Sequence, residues 1–145
     1  MARRNLPILS AANLAILDTS VYIDNLRSGR FKDEILALPY VIRSSAVVLA
    51  ELSRGARSRE MKKFVDDLAN NVRVITPTEA EWAVSGRLVN RIASANHFDI
   101  HKTREIHFDV LIALSARRIG AIVITCNSGD FTAIREFVNF RLMCW

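Results

Sequence analysis

Two carboxylates come directly after apolar runs of strand length. Asp18 follows the run Leu14–Leu17 in the segment ILDTS, and Asp130 follows residues 122–124 across the polar turn TCNSG. Aspartate is a preferred N-cap, and a helix is predicted to begin after each of them, so helix capping is one explanation of both. The other explanation is chemical: a pair of carboxylates at the ends of two core strands.

Two further carboxylates fall on the apolar faces of predicted helices. Asp109 lies three residues after Ile106 and four before Ala113, inside the apolar stripe of its helix. Glu51 lies three residues after Val48 and shares its face, although an acid at the edge of a stripe also reaches solvent or pairs with a nearby arginine such as Arg54. Aspartate is a poor residue for a helix interior, so Asp109 favours a functional role most strongly.

Four carboxylates in one place repel one another, and a cation between them removes the conflict. Mg²⁺ and Mn²⁺ prefer oxygen ligands, and such an ion activates a water for attack on phosphorus. The polar residues Thr19, Thr125 and Asn127 stand beside these acids and would orient the carboxylates or the water. The sequence therefore predicts a divalent-metal site.

The elements that must position these acids follow from the spacing of apolar residues. Strand-like runs at 14–17, 40–43, 72–75, 121–124 and 140–144 alternate with helical patterns, the longest of them at 103–118. This alternation predicts an α/β fold with a mostly parallel central sheet covered on both faces. Ligands bind beyond the carboxyl ends of such strands. We expect one domain at residues 13–145, preceded by an N-terminal extension at residues 1–12.

Composition narrows the classes of protein. Half of the 145 residues are hydrophobic and 24% are charged, which excludes a disordered chain. The net charge is +5, and sixteen of the twenty basic residues are arginine, which favours a nucleic-acid partner or simply an arginine-rich surface. No apolar run is long enough for a membrane span. Cys126 and Cys144 form no metal-binding spacing, so we expect a reduced protein in the cytoplasm.

In their order, the acidic segments ILDTS, VVLAELSRG, FDVLIALSARR and ITCNSGDF resemble the PIN domain. More narrowly, they resemble the VapC-type toxin ribonucleases of bacterial and archaeal toxin–antitoxin pairs. The resemblance extends from about residue 14 to residue 140. It departs from the common pattern at Phe108, where a small polar or acidic residue is frequent, and in a somewhat long N-terminal extension.

The resemblance implies a three-layer α/β/α fold, a homodimer, and Mg²⁺- or Mn²⁺-dependent endonucleolytic cleavage of RNA. It also implies a small cognate antitoxin whose tail covers the active site. The hydroxyl before the family's fourth acid matches Thr125, and the polar position between them matches Asn127. The four acids of the family match Asp18, Glu51, Asp109 and Asp130.

Basic and aromatic residues near these motifs have alternative explanations. Arg54, Arg57 and Arg117 are predicted contacts for RNA phosphates, and a solvated helix face is the alternative for each. Trp82 is predicted to be a core or dimer contact. The spacing of His97, His101 and His107 fits no histidine metal motif.

Two rival functions remain open. A phosphatase or receiver-like domain also gathers acids at strand ends, but it needs a lysine at a following strand end, and all four lysines fall in predicted helices or loops. A PIN-like module that binds RNA or a partner without cleaving is the other rival. The presence of all four acids argues against it.

Overall fold

The computed structural model describes residues 13–145, which form a five-stranded sheet in which every neighbouring pair of strands is parallel. The strand order is β3-β2-β1-β4-β5. The strands are β1 Leu14–Leu17, β2 Val41–Ser45, β3 Val74–Ile75, β4 Ile122–Thr125 and β5 Arg141–Cys144. The predicted α/β class with a parallel sheet is confirmed. The predicted extension at residues 1–12 lies outside the described residues.

Helices connect consecutive strands. They are α1 Thr19–Ser28, α2 Lys32–Leu36, α3 Ala46–Gly55, α4 Arg59–Asn71, α5 Glu79–Asn96, α6 Ile100–Ile119 and α7 Ser128–Arg135. Right-handed crossovers place the connections on both faces of the sheet, because the chain moves outward from β1 to β3 and then returns to β4 on the other side of β1. This gives the three layers that the resemblance implied. None of these helices is both long and apolar enough to cross a lipid bilayer.

The reversal of strand order between β1 and β4 creates the position where ligands bind in open parallel sheets. The two strands pair from Ala15 with Ile122 to Leu17 with Ile124. The backbone amide of Asp18 then donates to the carbonyl of Ile124 at 2.8 Å, which continues the pairing one residue beyond β1. Asp18 is therefore fixed beside the end of β4 by the backbone itself.

Helix α6 is the most deeply buried helix of the described chain, and its whole segment from Asp109 to Ala116 is buried. A helix that is apolar on all sides belongs in a core. An aspartate in this segment has no solvent-facing side available to it, so the exposure of Asp109 depends on an opening in the packing around it.

Two helix ends differ from the sequence-based prediction. Helix α6 begins at Ile100 rather than at residue 103, because the Asp99 side chain accepts a hydrogen bond from the Lys102 amide at 2.8 Å and caps the helix. Three residues, 97–99, therefore separate α5 from α6. Helix α7 begins at Ser128 rather than at residue 131, so Asp130 lies in its first turn and not at its N-cap.

Two other helix ends are fixed by local capping. Thr78 and Glu81 form a capping box at the start of α5, with hydrogen bonds of 3.1 and 2.9 Å. Gly120 ends α6 in the left-handed conformation, at φ 69°. Phe131 is fully buried and anchors the turn after β4 in the core.

Candidate metal centre

A polar cleft of about 570 Å³ opens where the carboxyl ends of β1 and β4 meet. Helices α3 and α6 complete its walls. All four predicted acids line this cleft, namely Asp18, Glu51, Asp109 and Asp130. The structure thus brings together residues from four separate segments of the chain.

Asp18 occupies the N-cap position of α1, yet its side chain makes no capping hydrogen bond. Its Oδ2 atom instead accepts hydrogen bonds from Ser20 Oγ at 2.8 Å and from Thr125 Oγ1 at 2.9 Å. Because Ser20 also accepts a hydrogen bond from the Cys126 amide, it ties the start of α1 to the turn after β4. The capping explanation of Asp18 is wrong, and its second oxygen remains available to the cleft.

Thr125 is the fully buried last residue of β4. Its hydroxyl donates to Asp18 and accepts a hydrogen bond from the Asn127 amide at 2.8 Å. The Thr125 hydroxyl therefore fixes both Asp18 and the turn that leads to Asp130. The predicted supporting position of Thr125 agrees with these contacts.

Asp130 is held by two donors on the same oxygen. Its Oδ2 accepts from Lys102 Nζ at 2.7 Å and from Asn127 Nδ2 at 2.8 Å. The capping explanation is wrong here as well, since Asn127 occupies the N-cap of α7 and the carboxylate of Asp130 is buried in the cleft. As with Asp18, one oxygen is tied and the other is not.

Lys102 is a site residue that sequence reasoning missed, because lysines were considered only at strand ends. It lies in the first turn of α6, where the positive end of the helix dipole disfavours a cation. The hydrogen bond to Asp130 raises the pKa of the Lys102 ammonium and keeps it charged. A lysine in a helix's first turn, seven residues before a buried aspartate, was the available signal.

Glu51 is partly buried and accepts a hydrogen bond from Thr19 Oγ1 at 3.0 Å. Burial raises the pKa of the Glu51 carboxyl, the Thr19 hydrogen bond lowers it, the Asp18 charge raises it and the Arg54 charge lowers it, and the net result is a raised pKa. Among the described residues, the hydrogen-bond partner of Glu51 is Thr19, so the alternative of a simple surface pair with Arg54 is not what the structure shows.

Asp109 is the most perturbed acid of the cleft. Only 9% of its surface is exposed, and no group within residues 13–145 donates a hydrogen bond to it. Burial, followed by the charges of Asp18, Glu51 and Asp130, raises the pKa of Asp109 to about 9, against a smaller opposing effect of Lys102. The charge of each of the other three acids of the cleft therefore acts on Asp109.

The donor set suits a hard divalent cation, because every candidate ligand atom is a carboxylate oxygen. Across residues 13–145, no three or more His, Cys, Asp or Glu side chains already form a finished metal cage. Three of the acids each have one carboxylate oxygen engaged in a hydrogen bond: Glu51 with Thr19, Asp18 with Thr125 and Asp130 with Lys102. The residues fit a divalent ion, and closing around it requires side-chain rotations.

The three predicted phosphate-binding arginines do not lie together. Arg54 lines the cleft, with its guanidinium 5.8 Å from the Phe108 ring centre. Arg57 lies in an adjacent groove that also contacts Glu51. Arg117 is in the last turn of α6, which leads into β4 and so ends at the opposite edge of the sheet. Arg117 does not line the cleft, because eight residues of helix separate it from Asp109 by about 12 Å, and its contact with RNA phosphate stays a prediction.

The histidines and Trp82 lie outside the cleft. His107 Nε2 is 2.8 Å from Ser85 Oγ, and its ring packs edge-on against Trp82. His97 ends α5 in the left-handed conformation, and His101 is exposed on α6. Trp82 is half exposed, which excludes it from the core and leaves the dimer contact as a prediction.

Comparison with solved structures shows the same fold in several toxin–antitoxin assemblies. The chain is 22% identical to a chain of VapBC-1 from nontypeable Haemophilus influenzae, covering 91% of this chain and 98% of that one with a TM-score of 0.65. A chain of VapBC2 from Rickettsia felis, bound to a promoter DNA fragment, is 21% identical, with 91% of this chain and 98% of that one covered and a TM-score of 0.64. A chain of VapBC-5 from Mycobacterium tuberculosis is 22% identical, with 91% of this chain and 98% of that one covered and a TM-score of 0.62.

The sequence itself was compared in two further ways. No curated protein sequence matches the chain. The sequence pattern of the PIN domain matches residues 15–136, a span that includes β1, β4 and all four acids of the cleft. The chain belongs to the PIN domain family.

Proposed function

We propose that this protein is a Mg²⁺- or Mn²⁺-dependent endoribonuclease that acts in the cytoplasm as the toxin of a toxin–antitoxin pair. The observation that carries the proposal is the convergence of four carboxylates on one cleft, with the pKa of Asp109 raised to about 9 by burial and by the other three. Membership of the PIN domain family supports a nuclease, and structural likeness to VapBC chains supports the toxin.

Asp18, Glu51, Asp109 and Asp130 would hold the ion. When bound, a divalent ion at these carboxylates lowers the pKa of a water and offsets charge on the scissile phosphate. Thr19 engages only the Oε1 atom of Glu51, so its Oε2 atom remains for the ion.

The remaining polar residues of the cleft orient the reacting groups. Thr125 and Ser20 hold Asp18, and Asn127 holds Asp130, so neither carboxylate turns away from the cleft. Arg54 and Arg104 line the cleft and are exposed, which allows them to contact the RNA phosphates on either side of the cleaved bond.

A phosphatase or receiver-like function is the second candidate that an observation addresses. Lys102 contacts an aspartate of the cleft, which is the type of pair that such domains use. The aspartate it contacts is Asp130, on a helix, whereas Asp18 directly follows a strand and is held by hydroxyl groups alone. This arrangement favours the nuclease, and failure to form an acyl phosphate with small phosphoryl donors would support that choice.

A groove beside the cleft is a candidate binding site for a cognate antitoxin. It has a volume of about 440 Å³, and its lining includes the apolar Ile23, Leu26, Leu52 and Met61 together with Arg27 and Arg57. Glu51 lines both this groove and the cleft. An amphipathic antitoxin tail with acidic residues complements this surface and would block access to Glu51. Leu26→Asp should then abolish inhibition by the antitoxin while RNA cleavage persists.

The direct experiment incubates the purified protein with RNA and Mg²⁺ or Mn²⁺, with EDTA as the reference. We expect cleavage that EDTA abolishes and that Asp109→Asn lowers by at least about 10²-fold. Asp66→Asn is the matched control, since it makes the same chemical change at an exposed position on α4 that does not line the cleft. RNA binding without cleavage under either metal would instead favour the non-cleaving module.

The toxin and homodimer proposals have separate tests. Expression of the protein should arrest growth, and co-expression of a short neighbouring reading frame that encodes a DNA-binding segment and an acidic tail should relieve the arrest. Light scattering of the purified chain should give twice the 16.3 kDa mass of one chain. A monomer would contradict the dimer and leave the nuclease proposal unaffected.

A further inference from the structure

Lys102 places a positive charge against Asp130, one of the acids that line the cleft. Its ammonium lies 2.7 Å from Asp130 Oδ2 and 4.0 Å from Glu105 Oε2. Lys102, Glu105 and Asp109 are spaced three and four residues apart on α6, so they share one helix face. The lysine thus stands at one end of a polar stripe that has the buried aspartate at the other.

The position of Lys102 is electrostatically unfavourable for the helix, and the nearby carboxylate of Asp130 offsets this. A lysine in the first turn of a helix opposes the helix dipole. Its side chain is only 35% exposed, and its ammonium lies 5.9 Å from the Phe98 ring centre. Asp99 caps the helix through the Lys102 amide, which fixes the backbone from which the side chain extends. The ammonium is therefore anchored by its backbone and by its partner.

Asp130 has limited capacity for a metal because Lys102 and Asn127 both donate to its Oδ2 atom. Only Oδ1 remains, so Asp130 offers one contact at most and does not bridge two ions while the lysine stays in place. Two divalent ions together with the ammonium would also exceed the negative charge of the four carboxylates. Two-metal nucleases use the second ion to stabilise the leaving oxygen.

We propose that Lys102 replaces the second divalent ion, so that this site takes one Mg²⁺ or Mn²⁺ and the ammonium supplies the other positive charge beside Asp130. The inference rests on the proposed nuclease function. It assigns Asp130 Oδ2 to the lysine and leaves Asp130 Oδ1 to hold the single ion together with Asp18, Glu51 and Asp109.

Counting bound Mn²⁺ by titration calorimetry and by electron paramagnetic resonance tests the proposal without relying on activity. We expect one ion per chain in the wild type and two in Lys102→Met, the second bound more weakly. Lys102→Arg should keep the count at one, because it keeps the charge. Lys63→Met is the matched control, since Lys63 makes an equally short ion pair with Asp67 on an exposed helix surface.

Cleavage provides a second signature. Lys102→Met should lower the rate about 10²-fold at an Mn²⁺ level that saturates the wild type, and additional Mn²⁺ should restore much of it. A purely structural lysine would show no such recovery. Circular dichroism and the midpoint of thermal unfolding show whether each variant is folded before it is compared.

Three outcomes overturn the inference. Two ions in the wild type mean that the lysine leaves Asp130 when metal arrives. One ion in a folded Lys102→Met variant means that the ammonium does not occupy an ion site, and the nuclease proposal survives either result. No ion in the wild type, together with no RNA cleavage, overturns the proposed function and the inference with it.

Discussion

Thr125 donates a 2.9 Å hydrogen bond to Asp18 across 107 positions of sequence, joining the last residue of β4 to the first residue after β1. The same hydroxyl accepts from the Asn127 amide, and Asn127 in turn donates to Asp130. The buried side chain of Thr125 therefore links Asp18, which follows β1, to Asp130 in the first turn of α7. Such supporting groups typically change metal affinity or activity 10- to 100-fold when removed.

Thr125→Val should retain the shape of the side chain and lose its hydrogen bonds. We expect RNA cleavage and Mn²⁺ affinity to fall about 10- to 100-fold. The free energy of unfolding should fall by about 1–3 kcal/mol, because the Asn127 amide loses its acceptor. Thr125→Ser keeps the hydroxyl and should remain within a few-fold of wild type. Cleavage and Mn²⁺ affinity that stay at the wild-type level in Thr125→Val would contradict the role of the hydroxyl.

Asp109 should make the metal-free protein less stable as the pH rises. Its pKa is about 9 in the folded state against an ordinary value of 3.8, so the folded state keeps a proton that the unfolded state releases. The free energy of unfolding therefore falls from about pH 4 up to about pH 9. Asp109→Asn removes this dependence and should be more stable than wild type in EDTA at pH 8, by about 1–3 kcal/mol.

Thermal unfolding at pH 5 and pH 8, with and without Mn²⁺, measures the effect of Asp109. The advantage of Asp109→Asn should be small at pH 5, large at pH 8, and reversed by Mn²⁺, which binds only the ionised wild-type site. Asp66→Asn should follow the wild type at each pH, because Asp66 is exposed on α4 and does not line the cleft. An Asp109→Asn variant that is less stable than wild type at pH 8 in EDTA would mean that Asp109 is ionised and satisfied.

Thr19→Val should shift the pH dependence of metal binding and cleavage. The Thr19 hydroxyl donates to Glu51 and lowers the pKa of that carboxyl, so its loss raises a pKa that burial has already raised. A higher proportion of Glu51 is then protonated at a given pH, and the acid limb of the rate–pH profile moves to higher pH. Thr19→Ser should leave the limb in place, and a profile that falls uniformly at every pH would argue against an effect through Glu51.

Arg54 and Arg117 form a matched pair for RNA binding. Both are exposed arginines on helices, but Arg54 lines the cleft and Arg117 lies at the far end of α6. In an Asp109→Asn background, Arg54→Gln should weaken RNA binding and reduce the salt slope by roughly 0.7 for the lost phosphate contact. Arg117→Gln should change neither quantity. The reverse ranking would place the RNA path on the opposite edge of the sheet.

The convergence of Asp18 and Asp130 was predictable because the carboxyl ends of parallel strands meet at one edge of the sheet. Asp109 was predictable as an anomaly, since an acid inside an apolar helical stripe has few structural explanations. Both inferences need only the spacing of apolar residues along the chain and the order of the predicted strands and helices. The structure agrees with them by bringing all four acids to one cleft.

Lys102 and Ser20 were not predictable in the same way. The start of α6 was predicted at residue 103, which left Lys102 in a connection rather than on the helix face of Asp109. Ser20 donates to Asp18 two positions away, but its contacts with Thr125 and Cys126 span more than one hundred positions. Arg117 is eight residues from Asp109 in sequence, which becomes a distance of about 12 Å once both lie on one straight helix.

A divalent ion bound between the four carboxylates would be visible by anomalous X-ray diffraction from crystals grown with Mn²⁺. We predict an anomalous peak inside the cleft, coordinated by oxygens of Asp18 and Asp109, that disappears in Asp109→Asn. Mn²⁺ bound elsewhere while the cleft holds only water, with Asp109 protonated at neutral pH, would show that the four carboxylates do not form a metal site.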